Sequence, residues 1–228
     1  MKHIFKDKEI ADDQLRMMFT CCHPAISSDS QIALTLKTLC GFSIPEIANA
    51  FLTTEENVNK RLVRVRKHIR NAKIPFEVLT GKDLDTRLMS VLETIFLLFN
   101  EGYNASSGSD TVRFELCKDA IRLTEIIASN PNIINTSNVF ALQALMNLNA
   151  SRFKARTDEY DNIIDLENQD REKWDKSLVE KGLNYLEFST RHKNISIYHI
   201  LATSLLTILQ PKTFNLLIGK VFYHFMII

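Results

Sequence analysis

This 228-residue sequence contains few of the residues that break regular structure. Six glycines and five prolines are too few for a collagen-like or low-complexity chain. Hydrophobic residues make up 45% of the sequence and charged residues 24%, so the chain can bury a sizeable core and disorder is not expected. The length fits one large domain or two small ones.

The sequence also lacks the marks of a secreted or membrane protein. Its four cysteines show no disulfide-like spacing, and the first residues, MKHIFKDKEIADD, contain no secretory signal. The apolar stretch after Leu201 is interrupted by Gln210, Pro211 and Lys212, so no clean span of about 20 apolar residues exists. We therefore expect a reduced, cytoplasmic protein with no membrane contact.

Little in the sequence suits a metal centre or an active site. Cys21, Cys22 and His23 are adjacent, but the second ligand pair that zinc sites usually need is missing. The Gly/Ser-rich loop at residues 102–110 could bind an anion or serve an enzyme, yet it shows no pairing of a base with a nucleophile. A polar connection between helices is the favoured interpretation of that loop. We predict no enzyme activity, no catalytic residue, no metal and no cofactor.

The net charge of +1 hides an uneven distribution of charge along the chain. Residues 54–73 contain seven lysines or arginines and two acidic residues. Residues 156–188 contain ten acidic residues and five lysines or arginines. Such asymmetry suggests that nucleic acid binds at the basic end.

Apolar residues recur at helical spacing throughout the sequence, and no segment alternates convincingly as a strand would. The pattern predicts an all-α fold. Asp12 or Asp13 is expected to cap the first helix, and Gly41 is expected to end the second. The helices expected after residue 83 cover residues 84–100, 111–129, 137–153 and 171–187.

Residues 42–72 carry the strongest functional signal. Ser43, Pro45 and Glu46 form a helix start with a cap, a proline in the first turn and a capping-box glutamate. A tight turn follows, and Thr53 or Thr54 is expected to cap a longer basic helix. A short capped helix, a turn and a basic helix are typical of a helix-turn-helix that binds DNA.

The basic helix has one apolar stripe and an opposite polar face. The stripe expected to be buried consists of Val58, Leu62, Val65 and Ile69. The candidate DNA-binding residues on and beside the opposite face are Thr54, Glu56, Asn57, Asn59, Lys60, Arg61, Val63, Arg64, Arg66, Lys67 and Arg70.

Different parts of this face suit different groups on DNA. Lys60 and Arg64 lie near its centre and can donate to base edges, and Val63 can contact a thymine methyl group. The flanking residues Arg61, Arg66 and Arg70 are expected to contact phosphates. The alternative interpretation is a solvated basic surface without sequence preference.

The residues SIPEIANAFLTTEENVNKRLVRVRKHIR resemble region 4 of sigma factors of the extracytoplasmic-function (ECF) class. The matching positions are Ile47, Ala48, Val58, Arg61, Leu62, Arg64 and Arg66. This resemblance implies that the basic helix reads the promoter −35 element. The sequence departs from the usual pattern at Glu56, Asn57 and Asn59, where many members have Gly, Thr and a basic residue.

Further motifs resemble a subgroup of these sigma factors with a long helical, tetratricopeptide-like C-terminal extension. They are DDQLRMMFTCCHPAI, FNEGYNASSGSD, LCKDAIRL, ALMNLNASRFKAR and DLENQDREKWD. The resemblance implies a region 4 helix-turn-helix domain at residues 10–75 and a helical-hairpin extension at residues 84–202. We expect residues 203–228 to be an atypical apolar tail that does not fit a surface helix.

The resemblance implies a transcription-initiation protein that binds promoter DNA and core RNA polymerase, with a possible protein partner on the extension. We expect region 2 to be missing and the C-terminus to be truncated or frameshifted. The alternative function is a protein-interaction module, in which the extension binds the partner and region 4 only docks on polymerase.

Overall fold

A computed structural model describes residues 12–72, 82–106, 112–134, 136–191 and 195–209. The regular elements in these ranges are helices, apart from one isolated antiparallel bridge between Thr157 and Ile163. The predicted all-α class is therefore confirmed. None of the described helices is both long enough and apolar enough to cross a membrane. The chain divides into two compact units, residues 1–134 and 135–228.

The described residues of the first unit form six helices that follow the predicted starts and stops closely. They are α1 (Asp13–Cys21), α2 (Ser28–Thr38), α3 (Ile44–Ala50), α4 (Glu55–Ala72), α5 (Lys82–Tyr103) and α6 (Phe114–Ala128). Asp12 caps α1, because its Oδ1 accepts a hydrogen bond from Leu15 N at 2.9 Å. Gly41 follows α2 with a φ of +74°, a left-handed conformation that favours glycine.

Helices α5 and α6 belong to this first unit, whereas the sequence predicts a domain boundary between residues 75 and 84. Helix α5 packs against α6 and also contacts α1, α2 and α3. Buried Arg87 of α5 donates from Nη1 to the carbonyl oxygen of Phe19 at 3.1 Å. Residues 76–81 of the expected linker lie outside the described residues. The domain limits at residues 10–75 and 84–202 stay a prediction. The first compact unit of the structure extends to residue 134.

The second unit is built around α7 (Ser137–Ala150), whose side chains are buried on nearly every face. Helix α7 packs against α9 (Lys176–Ser189) and α10 (Ile197–Leu209), and the short α8 (Phe153–Arg156) follows it in the chain. Gly182 allows α9 to pack closely against α7, since a Cβ at this position would lie 2.8 Å from Leu148 Cγ.

Two segments of the second unit differ from the sequence-based expectations. The helix expected at residues 171–187 begins at Lys176, because Asp175 caps it by accepting hydrogen bonds from Ser177 N and Leu178 N. Residues 203–209, expected to be part of an apolar tail, continue α10 and bury Leu206 and Leu209. Residues 210–228 of that tail lie outside the described residues.

Buried His199 of α10 should make the second unit sensitive to acid. Its Nδ1 accepts a hydrogen bond from Ser196 N at 3.1 Å, and its Nε2 lies 3.4 Å from the carbonyl oxygen of Ser189. These contacts fit a neutral ring with its proton on Nε2. Burial lowers the pKa of His199 below its usual 6.5, although the hydrogen bond to Ser189 acts in the opposite direction.

As the pH falls, His199 is therefore protonated in the unfolded chain at a higher pH than in the folded protein. The free energy of unfolding should decrease as the pH drops below about 6.5. We expect the urea midpoint of the second unit to decrease between about pH 7.5 and pH 5.5, and to decrease less in His199→Gln. An equal decrease in both proteins would assign the acid sensitivity to other groups.

Candidate nucleic-acid interface

The start of α3 has the predicted capping box. Ser43 N donates to Glu46 Oε2 at 2.6 Å, and Glu46 N donates to Ser43 Oγ at 3.3 Å. Pro45 lies in the first turn of the helix, where its missing N–H costs no hydrogen bond. These local contacts fix both the start and the direction of α3.

A tight turn joins α3 to α4. Leu52 adopts a φ of +49° and is 92% exposed, so its side chain contributes little to the core. Thr53 N donates back to the carbonyl oxygen of Ala48 at 2.9 Å. Thr54 then caps α4, because its Oγ1 accepts from Asn57 N at 3.3 Å. The two helices and this turn form a helix-turn-helix.

The inward face of α4 is the predicted apolar stripe. Val58, Leu62 and Val65 are 1%, 2% and 4% exposed, and Ile69 is half-buried. Val65 packs with Ile26 and Leu34, so α4 is held against the residues of α2 and the loop before it. With this face buried, the opposite face of α4 points to solvent.

Ten of the eleven candidate DNA-binding residues are exposed. They are Thr54, Glu56, Asn57, Asn59, Lys60, Val63, Arg64, Arg66, Lys67 and Arg70. The structure therefore brings these side chains together on one accessible surface, which we call the α4 face.

The centre of the α4 face is an open, shallow depression lined by Asn59, Lys60, Val63 and Arg64. Val63 is 64% exposed and lies among these polar and cationic side chains. Lys60 Nζ forms an exposed ion pair with Glu56 Oε1 at 2.6 Å. Arg64 is exposed, and its Nε donates to the carbonyl oxygen of Lys60 at 3.3 Å. The depression thus combines amide and cationic donors with one methyl-bearing side chain.

Arg61 differs from the other ten candidates because its side chain is engaged inside the first unit. Its Nη2 lies 3.2 Å from Asp29 Oδ2, and its guanidinium stacks over the ring of Phe51 at 4.9 Å from the centroid. The flank of α4 that carries Arg61 faces α2 and the end of α3, whereas Arg66 and Arg70 are exposed. Arg61 therefore holds the helix-turn-helix together in this structure.

The sequence did not predict a cluster of three charged residues that lies beside the interface. Arg113 Nη1 lies 2.9 Å from Glu46 Oε1 and 3.7 Å from Glu101 Oε1. Glu101 also accepts hydrogen bonds from Ser106 N and Ser106 Oγ, which ties down the loop after α5. This contact agrees with the interpretation of that loop as a polar connection, although residues 107–111 lie outside the described residues. No spacing in the sequence brings Glu46 and Arg113 together.

The four cysteines of the first unit are free thiols, of which Cys22 and Cys117 are buried and Cys21 and Cys40 are half-buried. Burial raises the pKa of the Cys22 thiol to about 12, which disfavours the thiolate that a metal would need. In the part of the chain that the structure describes, no group of three or more His, Cys, Asp or Glu side chains could hold a metal ion.

Comparisons with known proteins agree with this geometry. Residues 16–69 match the family described as Sigma-70, region 4, and residues 87–190 match a family of unknown function, DUF6596. An uncharacterized protein of Rhizobium meliloti (strain 1021) is 36% identical over 195 residues, which cover 84% of this chain and 45% of that protein. The chain thus spans less than half the length of this curated relative. No solved structure matches the chain.

The matched region includes the whole of α2 and α3 and most of α1 and α4. The capped α3 and the tight turn lie entirely within the matched residues, together with α4 up to residue 69. Residues 16–69 are therefore a sigma-70 region 4 domain, followed by more helices, and this domain supports a sigma-factor-like protein.

Proposed function

We propose that this protein acts in transcription initiation as a sigma-factor-type protein that binds the promoter −35 element and docks on core RNA polymerase. The observation that carries the proposal is the α4 face, an exposed row of cations, amides and one valine on a helix-turn-helix. Recruitment of this kind is non-covalent, so the proposal includes no enzyme activity, catalytic residue, metal or cofactor. We place the activity in the cytoplasm, where polymerase meets the promoter.

The central residues of the α4 face suit base edges in the major groove. Arg64 and Lys60 can donate to guanine O6 and N7, and the exposed methyl groups of Val63 can contact a thymine methyl. Glu56 can accept a hydrogen bond from a cytosine amino group. Lys60 can leave Glu56 at little cost in free energy, because their ion pair is exposed. We assign sequence reading to these residues.

The remaining candidates suit positioning on the duplex. Thr54 and Asn57 lie at the start of α4, where their side chains can position the helix through hydrogen bonds to phosphate and sugar oxygens. Arg66, Lys67 and Arg70 lie further along the helix and can neutralise phosphates. Because Arg61 is paired with Asp29, we assign it to holding α4 in place rather than to a phosphate.

A second candidate function is a protein-interaction module on the helical extension, with region 4 serving only to dock on polymerase. The observation that favours it is a pair of exposed isoleucines on α10, Ile197 and Ile200, which are 57% and 55% exposed. Apolar side chains of this size on a helix surface suit contact with a protein partner. A measurement of DNA binding separates the two functions.

Binding of the full chain to duplex DNA with a sigma-type −35 element should weaken steeply with salt. Each neutralised phosphate contributes a slope of about 0.9 in log K against log salt, so Arg66, Lys67 and Arg70 together predict a slope of about 3. The charge-reversed pair Arg66→Glu and Arg70→Glu should abolish this binding. The measurement is fluorescence anisotropy over a salt series.

The matched control reverses two exposed cations of the second unit, Lys173→Glu and Lys176→Glu. It makes the same change in net charge but should leave binding nearly unchanged. Equal losses in both variants would mean that only net charge matters. No binding by the wild-type chain would favour the protein-interaction module.

A further inference from the structure

Two arginines of α5 and α6, and a third that directly precedes α6, reach acceptors in or next to α1 and α3. Arg87 donates to the carbonyl oxygen of Phe19 in α1, and Arg122 contacts Asp12 Oδ2 at 2.6 Å and Gln14 Oε1 at 3.2 Å. Arg113 contacts Glu46 in α3. Each of these contacts joins residues more than 60 positions apart in the sequence.

We propose that α5 and α6 are an integral part of the DNA-binding unit and that Arg113 is a positioning residue, which holds α3 in place through Glu46. The proposal rests on the proposed function for its effect on DNA. The structural part of the proposal, the stabilisation of α3 by Arg113, can be measured without DNA.

The Glu46 carboxylate does two things at once. Its Oε2 accepts from Ser43 N at 2.6 Å and thereby closes the capping box of α3. Its Oε1 accepts from Arg113 Nη1 at 2.9 Å. Glu46 is buried, so its charge is costly without a nearby cation. The guanidinium of Arg113 therefore stabilises the same carboxylate that starts α3.

The other end of Arg113 is anchored independently of α3. Arg113 precedes α6, and its backbone N donates to the carbonyl oxygen of Gly102 at 2.7 Å. A Cβ on Gly102 would lie 2.9 Å from Cys117 N, so α5 and α6 are in close backbone contact at this point. The close crossing of α5 and α6 thus places the guanidinium next to Glu46.

The hold on α3 extends to the α4 face through the helix-turn-helix itself. Helix α3 packs against α4, and the Arg61 guanidinium of α4 covers the ring of Phe51 at the end of α3. A shift of α3 would therefore change how α4 is supported, although no residue of the α4 face is itself substituted. This arrangement predicts an effect on DNA affinity from a residue that does not touch DNA.

The test compares Arg113→Gln with Lys118→Gln in the full chain. Lys118 lies in α6, the helix that Arg113 precedes, and its exposed ion pair is with Glu115, so its substitution removes the same charge without a contact to α3. At a temperature where circular dichroism shows both variants folded, Arg113→Gln should bind −35 duplex DNA about tenfold more weakly with an unchanged salt slope. Lys118→Gln should stay within about twofold of the wild type.

Two further measurements distinguish positioning from a general loss of stability. Hydrogen exchange of residues 44–50 should become faster in Arg113→Gln and not in Lys118→Gln. Arg113→Lys, which retains the charge, should restore most of the DNA affinity. If Arg113→Gln does not fold, Glu46→Gln serves instead, because its amide oxygen can still accept from Ser43 N while the charge is lost.

Three results would overturn the proposal. One is an Arg113→Gln protein with wild-type DNA affinity and wild-type exchange in α3. Another is a salt slope lowered by about one unit, which would make Arg113 a direct phosphate contact. A third applies if the wild-type chain binds no DNA, and it is unchanged exchange in α3 of Arg113→Gln. Absence of DNA binding by the wild-type chain makes the proposed function fail separately, and faster exchange in Arg113→Gln would then still support the positioning role.

Discussion

Arg64→Ala should remove most of the preference of this protein for its −35 element over a random duplex. Arg64 lines the central depression of the α4 face, and its side chain is long enough to reach a base edge. A good bidentate contact between arginine and guanine contributes about 1–3 kcal/mol of discrimination, which is roughly 5- to 150-fold in relative affinity. The measurement is the ratio of dissociation constants for the two duplexes at one salt concentration.

Arg70→Ala is the matched control, because it removes the same side chain from the last turn of the same helix. Arg70 should contact a phosphate, so its loss should weaken binding to both duplexes alike and lower the salt slope by about one unit. If Arg64→Ala and Arg70→Ala weaken both duplexes equally, the α4 face is a solvated basic surface and does not read bases.

Leu62→Ala should cause a large loss of stability in the first unit. Leu62 is 2% exposed and lies in the middle of the buried stripe of α4. Truncating a buried leucine to alanine typically costs about 2–5 kcal/mol, because apolar contacts are lost and a cavity remains. The measurement is the free energy of unfolding by urea, followed through the helical signal.

The neighbouring substitution Val63→Ala supplies the contrast. Val63 is exposed, so its truncation should change the free energy of unfolding by less than about 0.5 kcal/mol. It should instead reduce the preference for a thymine at one position of the −35 element, because the methyl contact is lost. Similar losses of stability in both variants would contradict the assignment of the buried and outward faces of α4.

The start of each helix in the helix-turn-helix could be predicted because the responsible contacts are local. Ser43 and Glu46 are three residues apart, and so are Thr54 and Asn57, so their hydrogen bonds depend only on the first helical turn. The buried stripe of α4 was predictable for a similar reason. Residues on one helix keep fixed angles of about 100° to one another, whatever packs against them.

Helical periodicity alone does not distinguish the surroundings of the two flanks of α4. It places both Arg61 and Arg66 beside the buried stripe, and it therefore suggested phosphate contacts for both. In the structure one flank faces Asp29 and Phe51, so Arg61 is held within the protein while Arg66 is exposed. The angle between a residue and the buried stripe follows from the sequence of one helix. Which residues of other helices lie next to it does not.

The sequence by itself determined that this protein is helical and that a capped helix-turn-helix presents a basic outward face. Only the tertiary structure decided that α5 and α6 belong to the same compact unit and that Arg113 meets Glu46 across 67 positions of sequence. The physical reason is the range of the interactions. Caps, turns and helical periodicity act over three to four residues, whereas contacts between helices depend on how buried surfaces pack together, which local spacing does not encode.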